Sequence, residues 1–236
     1  MTGLLVENDK RNVQISSDVK QLMRSRLVHH DFNENNVSVP IGNEDGTFSV
    51  WHRSDTTNKY SDIGVFSRTT GATFLGKRKY VNGDGLKVDQ HIFSSIPPPS
   101  SGVGLQMFDE NGVETFNSDN PLLSIIDKVS IHVEDAYEKE WREGSDGTLY
   151  QDRTKWSKTY PGYSKLGILF ANVPAGIYKS PNYYQIDAYA YNFMTVGNVV
   201  ELWYRAEYFF WSGSSATITP NWDSELEFFV IDLSNA

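Results

Sequence analysis

The sequence predicts an all-β protein made of two tandem antiparallel β-sandwich domains that arose by internal duplication. Gly3–Asp18 aligns without a gap on Gly104–Asp119, 101 positions later, with matching apolar positions. A second similarity links Tyr60–Phe66 to Tyr163–Leu169 at an offset of 103. A repeat of this length is larger than a solenoid unit, so we predict two copies of one fold.

A proline-rich segment marks the expected boundary between the copies. Ser94–Gly102 contains three consecutive prolines, which favour an extended polyproline II conformation and a semi-rigid spacer. We therefore predict an N-terminal domain at 1–94, a linker at 95–102 and a C-terminal domain at 103–236. A ligand for a proline-reading domain is the lesser alternative for this segment.

The strand signals begin with a hairpin in each copy. The polar bend Asn8–Arg11 separates two short apolar runs, and Asp109–Gly112 does the same in the second copy, with an Asn-Gly pair typical of hairpins. Alternating or β-branched runs then predict further strands, with turn residues between them. The predicted strands are Leu4–Val6, Val13–Ile15, Phe48–Trp51, Ile63–Phe66, Leu86–Val88, Ile168–Phe170, Tyr184–Ala190, Val199–Trp211 and Leu226–Leu233.

Helical signal is weak. Asp18–Arg26 could form one short helix, because Val19, Leu22 and Met23 would share a face. Glu134–Glu143 is charged and lacks a clear period, which fits a loop or a helical turn. Many short strands separated by turns favour sandwiches or barrels.

Composition excludes several classes of protein. The chain has 236 residues, a net charge of -9 and no cysteine, so disulfides and thiolate chemistry are absent and general nucleic-acid binding is disfavoured. The segment Met1–Leu4 has no signal-peptide character, and no run approaches the ~20 apolar residues of a spanning helix. We expect synthesis in a cytoplasm and no membrane insertion.

No catalytic or metal-binding motif is evident, so we predict neither enzymatic activity nor a cofactor. His29 and His30 are adjacent and would point to opposite faces of a strand, which makes a shared metal unfavourable. A calcium loop around Asp109 lacks the acidic twelfth position. Four carboxylates lie among aromatic residues, as in glycan-cleaving sites, but a solvent-facing position on strands is the simpler interpretation: Asp187, Glu201, Glu207 and Asp223.

Aromatic residues crowd the last third of the chain. Strand alternation should send about half of them inward, and outward Tyr and Trp are typical of protein interfaces or sugar-stacking surfaces. The candidate interface or ligand residues are Tyr189, Tyr191, Trp203, Tyr208, Trp211 and Trp222.

Gly104–Asp119 also resembles the opening motif of small proteins encoded in the tail modules of tailed bacteriophages. Their pattern is Gly-Leu-Gln, an apolar pair, Asp/Asn-x-x-Gly, an apolar residue and a Ser-Asp ending. Phe93–Pro99 is similar to the proline-rich spacer that precedes the motif, and the resemblance spans Phe93–Ile126. The first copy departs from it, with Leu5 in place of Gln and Arg11 in place of Gly.

The resemblance implies a virion tail component, at the tip, baseplate or fibre, that works by protein–protein assembly. Its expected partners are other phage tail proteins, with homo-oligomerisation. A receptor- or carbohydrate-binding module that uses exposed Tyr and Trp is the main alternative, and a glycan-degrading enzyme is a distant third.

Overall fold

The structure is a computed structural model, and every regular element that it describes is a β-strand paired in antiparallel fashion. The all-β prediction is therefore confirmed. The described residues are 5–7, 13–16, 21–31, 38–40, 46–53, 63–67, 73–77, 87–96, 98–132, 141–143, 149–151, 154–173, 185–210 and 225–235.

Eight described strands precede the proline-rich segment and ten follow it. The first eight are β1 (Leu5–Glu7), β2 (Val13–Ser16), β3 (Met23–Asp31), β4 (Ser38–Pro40), β5 (Thr47–His52), β6 (Ile63–Ser67), β7 (Thr73–Lys77) and β8 (Lys87–Ser94). The other ten are β9 (Gln106–Phe108), β10 (Glu114–Asn117), β11 (Ser124–His132), β12 (Trp141–Glu143), β13 (Leu149–Gln151), β14 (Thr154–Thr159), β15 (Leu166–Asn172), β16 (Gln185–Val196), β17 (Val199–Phe210) and β18 (Glu225–Asp232).

Two six-stranded sheets form the centre of the described structure. One has the strand order β11-β18-β15-β5-β8-β3, and the other has the order β14-β17-β16-β6-β7-β4. Three two-stranded hairpins accompany them: β1-β2, β9-β10 and β12-β13.

Each six-stranded sheet contains three strands from either side of the predicted domain boundary. Within the first sheet, β5 meets β15 where Trp51 pairs with Ile168. Within the second, β6 meets β16 where Phe66 pairs with Ala190 and Val65 with Tyr191. The segments 1–94 and 103–236 thus share both sheets rather than keeping separate ones.

Three strands of the first half match three strands of the second half in length and in spacing along the chain. The pairs β1 and β9, β2 and β10, and β3 and β11 have equal lengths and the 101-residue spacing seen in the sequence. The hairpins share a register and an irregularity, between Val6 and Glu7 in one and opposite Met107 and Phe108 in the other. Both β3 and β11 carry an irregularity at the same place, two residues into the strand.

Two sequence-based expectations fail locally. The similarity between Tyr60–Phe66 and Tyr163–Leu169 matches β6 with β15, which lie in different sheets, so it does not follow the strand correspondence. The expected helix over Asp18–Arg26 is wrong for its described end, because Met23 begins β3. Pairing with β8 overrides the weak helical spacing of that segment.

Side chains from both six-stranded sheets meet in the largest core cluster. Trp51, Ile168 and Phe228 come from the first sheet, and Tyr191 and Leu202 come from the second. A second cluster lies on the other face of the first sheet, around Val50, Leu169 and Leu233. Strand β15 is buried on both faces of the first sheet, which is why its residues form a continuous apolar run.

The edge of the first sheet is also tied to the end of β14. The Tyr160 hydroxyl donates a 2.7 Å hydrogen bond to Asp127 Oδ2, and Lys158 Nζ lies 2.8 Å from the same oxygen.

Among the described residues, none forms a helix that could cross a membrane.

Candidate functional site

The structure places two of the six candidate aromatic residues in the interior. Tyr191 is fully buried with the main core cluster, and Trp203 is 6% exposed. The expectation that these two side chains contribute to an outer surface is therefore corrected. Tyr189 and Tyr208 lie on β16 and β17, opposite Ala206 and Asp187, but their side chains are outside the described part, as are Trp211 and Trp222 entirely.

Two of the four carboxylates weighed as a glycan-cleaving set, Asp187 and Glu201, lie far apart. Glu201 pairs with Met194, whereas Asp187 pairs with Tyr208 near the other end of β16. The seven steps along the strand from Asp187 to Met194 correspond to roughly 23 Å. Glycoside hydrolysis needs two carboxyl groups within about 10 Å, so Asp187 and Glu201 cannot act as one pair. Asp223 lies outside the described residues.

The histidines serve structural contacts. His29 is exposed and its Nδ1 lies 2.7 Å from Asp89, while His30 Nε2 lies 2.8 Å from Gln90 on the other face of β3, as strand alternation predicts. In the part of the chain that the structure describes, no three His, Asp or Glu side chains are grouped so that they could hold a metal ion.

His91 is the most perturbed of the buried titratable groups. It is fully buried on β8, and Arg24 Nη1 lies 3.4 Å from its Nδ1. Burial, followed by the positive charges of Lys165 and Arg24, lowers the pKa of His91 to about 3. The imidazole is therefore neutral at physiological pH, and its Nε2 has no hydrogen-bond partner within the described structure. A pKa that differs between the folded and the unfolded chain makes the stability of the protein depend on pH.

A groove of about 590 Å³ opens near the start of β11. Phe116, Asn120, Ile125 and Asp232 are among its lining residues. Asp232 is the one carboxylate among its described lining residues, and it accepts a 2.8 Å hydrogen bond from the Ser234 amide.

The hairpin β9-β10 contains most residues of the motif Gly104–Asp119. Asp109 Oδ1 accepts hydrogen bonds from the amides of Asn111 and Val113, both 2.9 Å long. Gly112 has a φ of 76°, a left-handed conformation that glycine adopts without steric cost. The Asp-x-x-Gly part of the motif is therefore a turn.

The two ends of the motif meet at the base of the hairpin. The Leu105 amide donates to Ser118 Oγ at 2.9 Å, and the Ser118 amide donates to the Leu105 carbonyl at 2.9 Å. Asp119 Oδ2 accepts hydrogen bonds of 2.7 Å from the amide and the hydroxyl of Ser101. These bonds hold the pKa of Asp119 below its usual value and fix the proline-rich segment against the hairpin.

The inner face of the hairpin packs on the first half of the chain. Met107 and Phe116 form a small core with Met23 of β3, and Asn117 Nδ2 donates to the Pro98 carbonyl at 3.2 Å. The hairpin is thus held by apolar contacts with β3 and by a hydrogen bond to the proline-rich segment.

The outer residues of this region are the main exposed apolar side chains that the structure describes. We call five of them the hairpin patch: Ile96, Val103, Leu105, Phe108 and Val113. The candidates predicted from the sequence were Tyr and Trp residues of the last third, so these residues were not predicted. The signal for them is an apolar residue at positions where the aligned N-terminal segment has Thr2, Glu7 and Asn12.

Replacing Gly104 should destabilise the protein by disturbing the base of the β9-β10 hairpin, where Ser118 accepts the hydrogen bond from the Leu105 amide. Gly104 has a φ of +112°, and a Cβ there would overlap Ser118 Oγ, so Gly104→Ala should lower the free energy of unfolding by roughly 1–3 kcal/mol. Urea unfolding measures the loss. The matched control is Gly102→Ala, at a φ of +80° with nothing within 4 Å, which should lose only the conformational part, about 1 kcal/mol. Equal losses would contradict the role given to Ser118.

Comparison of the chain with protein-family models, with curated proteins and with solved structures gives no match in any of the three.

Proposed function

We propose that the chain is a structural, non-enzymatic component of a bacteriophage virion tail, at the tip, baseplate or fibre, and that it acts by protein–protein assembly. The observation that supports this is the hairpin β9-β10. Its motif residues are used in turns and backbone hydrogen bonds, while its outer residues include exposed apolar side chains. Several exposed apolar side chains within one short segment favour an interaction surface.

We further propose that the chain is a duplicated β-sandwich whose two copies share both layers. Equal strand lengths, equal hairpin registers and matching strand irregularities support the duplication. The core cluster with side chains from both six-stranded sheets supports face-to-face packing. Stacked antiparallel sheets serve as scaffolds in many unrelated proteins, so this architecture alone favours no chemistry.

The proposal is tested by quantitative mass spectrometry of purified particles from the source phage or induced prophage. The measured quantity is the number of copies of this protein per copy of the major tail protein. We expect a low and reproducible ratio, as for a tip, baseplate or fibre component. A near-equal ratio would instead indicate decoration along the tube, and absence from clean particles would refute the proposal.

A receptor- or carbohydrate-binding role remains the second candidate because of the far end of the β16-β17 hairpin. Among the described strand pairings, residues 205–210 of β17 pair with β16, and the pairing of β14 with β17 ends at Tyr204. Tyr189 and Tyr208 lie in this end of the hairpin. Glycan-array binding by the full chain, lost on Tyr189→Ala or Tyr208→Ala with unchanged folding, would favour this candidate.

A further inference from the structure

The hairpin patch is concentrated in a short part of the chain. The structure describes seven large apolar side chains as exposed, and five of them lie between Ile96 and Val113. Their exposed fractions are high: Ile96 73%, Val103 75%, Leu105 48%, Phe108 52% and Val113 51%. Phe108 follows the buried Met107, so it stands on the face of the hairpin opposite the core.

The first half of the chain provides an internal control for the patch. Hairpin β1-β2 has the strand lengths, register and irregularity of β9-β10, yet it carries Glu7 where the second hairpin has Phe108. Asn12 likewise corresponds to Val113 in the ungapped alignment. Since this hairpin forms with polar residues at those positions, the fold does not require Phe108 or Val113.

The charged residues in this stretch of the chain have one sign. The 32 residues from Ser95 to Ile126 contain four carboxylates and no Lys, Arg or His, and the next carboxylate, Asp127, is paired with Lys158. Asp109 and Asp119 are occupied by local hydrogen bonds, whereas Glu110 is exposed at the hairpin turn. A second copy docking through this patch would bring like charges together at its rim, which is unfavourable.

We propose that the hairpin patch docks onto a different protein that presents an apolar surface bordered by lysine or arginine side chains. This inference rests on the proposed assembly function and names the surface and the chemistry of its partner. Phe108 is the central anchor, because large aromatic side chains dominate the energy of such contacts. Glu110 and the neighbouring carboxylates add complementary charge at the border.

The test uses the full chain in purified phage particles. The double variant Phe108→Glu/Val113→Asn installs the residues of the first hairpin, so it should fold, and thermal unfolding checks that it does. We expect the number of copies per particle to fall at least tenfold. The matched control, Leu27→Thr, changes a side chain that is 37% exposed on β3 outside the patch and should stay within twofold of the parent protein.

A second measurement identifies the partner without weakening the contact. A photo-crosslinking benzoylphenylalanine replaces Phe108, and mass spectrometry of irradiated particles locates the crosslinked peptide. We expect a different virion protein with Lys or Arg beside the crosslink. A crosslink to a second copy of this chain, or no crosslink, would overturn the inference.

The outcomes separate the inference from the proposed function. If the parent protein and the double variant enter particles equally, the assembly function stands and the docking surface is wrong. If the parent protein itself is absent from particles, both are wrong.

Discussion

Phe228→Ala is expected to lower the free energy of unfolding by about 3–5 kcal/mol, the range for removing a buried aromatic side chain. Phe228 is fully buried at the centre of the main core cluster. Its ring meets Trp156 edge to face at 5.4 Å between centroids and lies 6.4 Å from Phe170. Truncation removes these contacts and leaves a cavity beside the side chain of Trp156. Strand β18 pairs with β11 on one side and with β15 on the other, so the cavity lies against an interior strand of the first sheet.

The measurement is chemical unfolding at neutral pH, followed by intrinsic fluorescence. Phe108→Ala is the matched control, since it makes the same chemical change at a side chain that is 52% exposed, and it should stay within about 0.5 kcal/mol of the parent protein. Similar losses in the two variants would show that β18 is not part of the central core.

Mild acid should destabilise the protein through His91. Its pKa is lowered from 6.5 to about 3 in the folded protein, so the unfolded chain binds more protons between these values. Stability is therefore fully present above pH 6.5 and is lost as the pH falls towards 3. Between pH 7.5 and 5.0 this group alone accounts for a loss of about 2 kcal/mol.

Urea unfolding at a series of pH values between 7.5 and 5.0 tests this, because most carboxylates remain ionised over that range. His91→Gln removes the titrating ring and keeps an oxygen acceptor for Arg24, so its stability should change less with pH. His29→Gln removes an exposed imidazole and should keep most of the pH dependence. Burial also lowers the pKa of His52, which leaves a residual slope of the same sign in the His91 variant. An unchanged slope after His91→Gln would contradict the assignment.

Local patterns predicted many of the described strands, because alternation and turn residues act over a few positions, but they did not predict β3, β4, β7, β11, β12, β13 or β14. The hairpin β9-β10, the short run of β6 and the long strands β16 and β17 were all visible in the sequence. The sequence did not predict that strands of the first half pair with strands of the second half. The single pair between Trp51 and Ile168 joins two strands from different halves, and no local pattern encodes such a contact.

The candidate surface was harder to predict, since alternation does not say which face of a strand is covered. Tyr191 and Trp203 are of residue types that are common at interfaces, but both are buried. The corresponding positions of the two halves also differ in chemistry. The fourth residue of β18 is Phe228, whereas the fourth residue of β8 is Gln90, which donates to Ser49 Oγ at 2.9 Å. One half thus uses a polar network where the other uses an aromatic ring.

The sharing of both sheets by the two halves has a consequence for how the protein is made. When the first 96 residues have left the ribosome, β5 and β6 still lack the neighbours β15 and β16. At roughly 5–20 residues per second, β16 is complete about 5–20 s later. Contacts such as that of Arg53 with Thr195, 142 residues away, can form only then. Unpaired edges are templates for misassociation during this interval, and pairing over such distances is slow. The nascent first half is therefore open to misassociation until its own second half is complete.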